Sequence, residues 1–202
     1  MGVLYNPQTV TDGLVLALDA ANPKSYPGSG TTWFDLSGRN NHHSIIGSPT
    51  FANSRFTLNE TQGFQKNSAM TGVTNVNTVV IWYSTTDTQE LWVKGNSNAG
   101  IYLSASVGNN YYHNGCGSSI INYVDLAVTI RPDSPINYRN GSYHMWEAKN
   151  VDFTTWTVYD WFLYGGGWNM VGNVSAIMIY NRELSSAESL QNFNALRGRY
   201  GI

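Results

Sequence analysis

The chain has 202 residues, a formal net charge of −2 and only 12% charged residues with no basic run, which leaves nothing resembling the electropositive footprint of a nucleic-acid binder. Its single cysteine, Cys116, excludes an internal disulfide framework and a thiolate metal cluster. No stretch approaches the ~20 apolar residues of a membrane span, and Met1–Pro7 lacks a basic segment followed by an apolar run, so neither membrane insertion nor signal-directed export is expected.

In chain order, residues 1–12 read as a polar lead-in and 13–202 as one domain, a length that suits an undivided sandwich. Gly13–Ala20 is the first convincing strand, with Leu14, Leu16 and Leu18 on one face and Val15 and Ala17 on the other. A loop dense in turn formers, Asn22–Gly30, follows. Residues 51–77 weaken into short edge strands and loops. Thr78–Tyr83 is a strong strand, Leu91–Asn96 and Gly100–Val107 form the next pair, and Tyr111–Gly115 reads as a loop tip rich in rings. Val124–Ile130 is expected as one strand. Asn140-Gly141 signals a hairpin, because a type I′ turn needs positive φ at both central residues. Thr157–Tyr164 leads into Gly165–Gly167. In the final strand, Val174, Ala176, Met178 and Tyr180 take one face while Ile177 and Ile179 share the other with Ser175. Ser185-Ser186-Ala187-Glu188 fits a capping box, and Leu190, Phe193, Leu196 and Tyr200 give the following helix an apolar stripe. Strands at short, regular intervals with one terminal helix make an antiparallel sandwich.

Two stretches carry a family likeness. The closing strand, the link Tyr180-Asn181-Arg182-Glu183-Leu184-Ser185 and the tail resemble the last segment of the LamG-like jelly rolls of the concanavalin A-like lectin/glucanase superfamily. The run from Asp12 to Phe51, with Leu-Asp-Ala-Ala-Asn-Pro, Tyr-Pro-Gly-Ser-Gly-Thr, Trp-Phe-Asp-Leu-Ser-Gly and Pro-Thr-Phe, resembles the opening of LamG-like domains in particle proteins of tailed bacteriophages. The usual Asn-Asn-Gly-Thr-Leu is replaced here by Asn40-Asn41-His42-His43-Ser44. The resemblance implies a jelly roll in which the final strand pairs beside the first and a short helix closes the domain.

Function must then be argued from sites, because one fold hosts many activities. A glycosidase needs two carboxylates about 5–9.5 Å apart. The five glutamates are scattered, and Glu147 with Asp152 comes closest, read as a solvated turn-and-loop pair, so no enzyme is expected. No cofactor is required, though Asp35, Asn40 and Asp125 are candidate calcium ligands at loop rims. His42 and His43, adjacent in a strand, point opposite ways and do not share a metal. The loop aromatics Tyr111, Tyr112, His113, Trp156 and Trp168 are candidate platforms for stacking sugar rings. The expectation is a non-enzymatic structural or decorating protein of the virion, contacting phage capsid or tail proteins, open to forming a homo-oligomer and to binding host-surface glycan. The alternative is a lectin-type carbohydrate-binding module of a bacterial surface protein.

Overall fold

The structure, a computed structural model, describes residues 8–86, 90–95, 99–104, 110–117, 119–129, 139–163 and 170–202. Two antiparallel sheets face each other. Sheet A runs β12 (Ala127–Thr129), β11 (Ile121–Val124), β13 (Tyr143–Val151), β7 (Asn77–Thr85), β15 (Gly172–Tyr180), β5 (Arg55–Leu58) and β4 (Thr50–Ala52), and β1 (Leu14–Asp19) pairs with the other half of β15. Sheet B runs β10 (Asn110–Asn114), β9 (Gly100–Ser104), β8 (Glu90–Lys94), β14 (Tyr159–Trp161), β6 (Gly63–Lys66), β3 (His43–Ile46) and β2 (Thr32–Trp33). Helix α1 (Ser186–Tyr200) closes the chain. The fold is thus an all-β antiparallel sandwich with one short C-terminal helix, and its last strand pairs with its first.

The central strands are apolar on both faces because both faces of sheet A are covered. Along β7, Val79, Ile81 and Tyr83 enter the core between the sheets, while Val80 and Trp82 enter a second core beneath α1. Two bulges adjust the alternation expected for the terminal strands. Ser175 is an extra residue in the pairing of β15 with β7, so Val174 joins Ile177 and Ile179 between the sheets instead of following Ala176, Met178 and Tyr180 toward the helix. Val15 is the extra residue of β1, and it turns inward with Leu16 and Leu18 while Leu14 packs on the helix side. One additional residue shifts every later side chain to the other face.

Other elements also depart from the sequence reading. In place of one strand over Val124–Ile130, β11 and β12 form a hairpin spanning Ile121–Thr129: Asp125 and Leu126 both take positive φ, 47° and 70°, as a two-residue type I′ turn requires. The Asp125 carboxylate fastens that turn to β13 by accepting the Met145 N–H at 2.9 Å. At Asn140-Gly141 only the glycine is left-handed, and of the expected first arm, residues 136–139, the first three lie outside the described residues. Of the expected loop tip, Tyr111–Asn114 is strand, since β10 pairs along its whole length with β9, and Gly115 lies just beyond it. Strand β6 is interior, between β3 and β14, not an edge.

The capping box forms as expected: the Ser185 hydroxyl accepts the Glu188 N–H, and the Glu188 carboxylate accepts the Ser185 N–H at 2.8 Å. The helix is rotated from its expected stripe, leaving Leu190 46% exposed and burying Ser189, Asn192, Ala195 and Leu196. The rotation follows from polar partners inside. Asn192 accepts the Val10 N–H at 2.8 Å and donates to the Tyr180 hydroxyl at 3.1 Å, and that hydroxyl donates to the Val10 carbonyl. Val10, placed by sequence in a polar lead-in, is therefore core. Phe193 stacks on Trp82, and Tyr200 on Tyr143.

His43 is the one wholly buried imidazole among the described residues. Its Nε2 accepts the Trp161 indole N–H at 3.0 Å, which leaves the ring proton on Nδ1 to be donated to the Asn41 carbonyl at 2.9 Å. Burial pulls its pKa from 6.5 down to about 3. Because the folded state holds the neutral ring, His43 leaves stability intact above pH ~6.5 and removes it as pH falls toward 3, by up to about 5 kcal/mol. Urea unfolding from pH 7 to 4 should show about 3 kcal/mol of this loss, with uptake of about one proton, and His43→Gln should flatten the acid limb.

Candidate functional site

Four of the candidates suggested by residue type, Trp156, Asp35, Asn40 and Asp125, have structural roles. Trp156 is 1% exposed. It packs against Phe153 and Tyr159, donates its indole N–H to the Gly115 carbonyl at 3.3 Å, and lies flat on Gly95, where any Cβ would run into the ring. It presents no face to a sugar. The reason is the glycine at position 95, which opens a slot in the backbone that the ring fills. Tyr111, Tyr112 and His113 occupy consecutive positions of β10, and Trp168 lies outside the described residues. Trp156→Ala should therefore lower stability by about 3–5 kcal/mol and leave any ligand affinity of the folded protein unchanged, which paired chemical denaturation and binding measurements would check.

The calcium candidates are also occupied. One Asp35 oxygen accepts the N–H groups of Ala17 and Ser37, both at 2.9 Å, and the other accepts the Ser37 hydroxyl at 2.7 Å and the Asn41 N–H at 2.9 Å. A cation would have to displace four donors, so this carboxylate does not fit a calcium ligand. It bolts the 34–41 loop to the free edge of β1. Asn40 serves the same loop as a left-handed turn residue, with φ 57°. Asp125 spends one oxygen on Met145 and the other on His144 Nδ1 at 2.7 Å, and β13, β7 and β15 separate it from the Asp35 loop. His42 and His43 diverge as expected: His42 is exposed and its Nδ1 accepts the Asp35 N–H, whereas His43 points inward.

Glu147 is buried, not solvated as the sequence suggested, and Asp152 instead caps a local turn at Thr154. Glu147 accepts the Ser189 hydroxyl at 2.8 Å and lies 3.4 Å from the Lys149 ammonium. Lys149 in turn donates to the Leu184 carbonyl at 2.6 Å. Burial raises the Glu147 pKa, against the lowering by Lys149. Breaking such a pair costs more than deleting it. Glu147→Gln should therefore destabilise by about 3 kcal/mol at neutral pH by stranding Lys149, and the double variant Glu147→Gln/Lys149→Met should recover most of that loss in equilibrium unfolding.

A further candidate surface among the described residues is the outer face of sheet B. Register aligns one polar row across it: Thr32 opposite Ser44, Ser44 opposite Gln65, Gln65 opposite Asp160, and Asp160 opposite Lys94. Each lies one position from a buried inward residue such as Trp33, His43, Phe64, Val93 or Trp161, so the row faces outward by the pleat. The amides are ordered in one direction. Asn67 donates to the Gln65 side-chain oxygen at 2.7 Å, and Gln65 donates to Asp160 Oδ1 at 2.7 Å. The result is an open strip of donors and acceptors ending on a carboxylate, suited to hydroxyl groups. Sequence reasoning missed these residues. The lone polar positions between buried rings, Gln65 after Phe64 and Asp160 between Tyr159 and Trp161, were visible, but their alignment depends on the register of strands nearly a hundred residues apart.

Solved structures of similar shape agree with this architecture. The chain is similar to Trypanosoma rangeli sialidase in complex with sialic acid, at 14% identity and TM-score 0.57, covering 92% of this chain and 33% of that one. A mutant of that sialidase displaying trans-sialidase activity gives the same score and identity over 94% of this chain and 34% of that one. The likeness is one of fold, an antiparallel two-sheet sandwich. The chain thus spans about a third of the sialidase chains it matches. The receptor-binding domain of a botulinum neurotoxin C/D mosaic serotype is more distant, with TM-score 0.49 and 10% identity over 92% of this chain and 51% of that one. No protein-family model matches the chain, and no curated protein does.

Proposed function

We propose that this chain is a non-enzymatic carbohydrate-recognition module that binds glycan on the outer face of sheet B and serves as a decorating or attachment protein of a phage particle. The observation that carries the binding role is the ordered row Asn67, Gln65 and Asp160, flanked by Ser44 and Lys94. Sugar hydroxyls both donate and accept, and such a strip meets them with an amide edge and a carboxylate without needing any perturbed pKa.

The non-enzymatic reading is supported by where the carboxylates go. Asp35 anchors a loop, Glu188 caps α1 and pairs with Arg182, Asp19 pairs with Arg199, Asp125 holds a turn and Glu147 is buried beneath the helix. Each has a structural role that proton transfer would interrupt. The particle assignment rests on the resemblance of the Asp12–Phe51 and C-terminal segments to LamG-like phage domains.

A glycan array on the purified chain tests the binding role. The expected result is a defined set of ligands whose affinity falls about tenfold or more in Asp160→Ala, the loss of one hydrogen bond to a charged group, with circular dichroism unchanged. An array without hits, or binding that ignores Asp160 and Gln65, would sink it. Mass spectrometry of virions tests the location separately.

A further inference from the structure

A β-sandwich leaves sheet edges, and each exposes a line of unpaired N–H and C=O groups that natural proteins shorten, bend or charge. Three terminal strands of this fold are managed in that way. Strand β2 has two residues, and β4 and β12 have three each; β4 also turns at once through Asn53 and Ser54, both left-handed. The open edge of β1 is covered by the Asp35 loop, whose Leu36 N–H donates to the Ala17 carbonyl. Strand β10 is different. It is five residues long, ends sheet B among the described residues, and pairs with β9 through five consecutive positions with no bulge. The segment Asn110-Tyr111-Tyr112-His113-Asn114 contains no proline, lysine or arginine to blunt it, and tyrosine favours strands.

Its sequence is also nearly symmetric about its centre. In an antiparallel pairing of two such strands with the two-fold axis at Tyr112, Tyr112 stands opposite its own copy, Tyr111 opposite His113, and Asn110 opposite Asn114. Every cross-strand position then joins two ring residues or two amides, and no position joins like fixed charges. We infer that β10 adds to β10 of a second copy of this chain, joining the two seven-stranded B sheets into one continuous sheet. An edge of five residues buries less than a standard interface, so the dimer is weak, with a dissociation constant of roughly 10 μM to 1 mM. It places two copies of the Gln65–Asp160 row on one surface, which raises avidity for a repeated ligand.

Sedimentation of the full chain across that concentration range should show reversible dimerisation. Tyr112→Lys, which sets two ammonium groups face to face at the axis, should weaken it about fivefold or more. Opposed strand positions bring Cα atoms within about 4.5–5.5 Å, inside the disulfide range. Tyr112→Cys should therefore lock the dimer under mild oxidation, while Thr129→Cys on β12 should not. The Cys variant decides the matter if the Lys variant fails to fold. Failure of Tyr112→Cys to crosslink above the Thr129→Cys level would overturn the pairing, as would a dimer whose strength ignores Tyr112→Lys.

Discussion

The constraint on which this structure rests is that the central strands of sheet A have no face for water. Strands β7, β13 and β15 carry large apolar groups on both sides, and the fold must supply two coverings. Sheet B is one and α1 the other. The bulges at Val15 and Ser175 turn Val15 and Val174 toward the first covering, while the inward turn of Asn192 and the capture of Val10 serve the second, because a helix laid on a sheet seals it only where its own polar groups find partners. The buried Glu147, Lys149 and Ser189 group ties the same helix to β13.

Much of this was legible in the sequence. The capping box and the double-sided strands at Thr78–Tyr83 and Val174–Tyr180 could be read because each depends on neighbours or on a pattern spanning one element, and the pairing of first strand with last followed from the family likeness. The misreadings share a different cause. Single inserted residues at Val15 and Ser175 reversed the faces of their strands, the left-handed Asp125 and Leu126 split one expected strand into a hairpin, and Leu190 lost its place in the stripe to Asn192, whose partners lie on Val10 and Tyr180. Each is decided by contacts across the chain.

The same division applies to function. Residue type suggested Trp156 and Asp35, since rings stack on sugars and carboxylates bind calcium. Both are consumed internally, the ring by the slot at Gly95 and the carboxylate by four donors. The polar strip on sheet B is built from residues of no individual distinction, Ser44, Gln65, Asn67 and Asp160, and only strand register gives it form.

The Val10 segment and α1 lie on the same side of sheet A, joined through Asn192 and through the Gln191 amide, which donates to the Gln8 carbonyl at 2.7 Å. Both ends of the described chain therefore sit on the flank opposite the outer face of sheet B. A tether joined to either end would hold the sandwich by its back, with the polar strip turned outward toward whatever approaches.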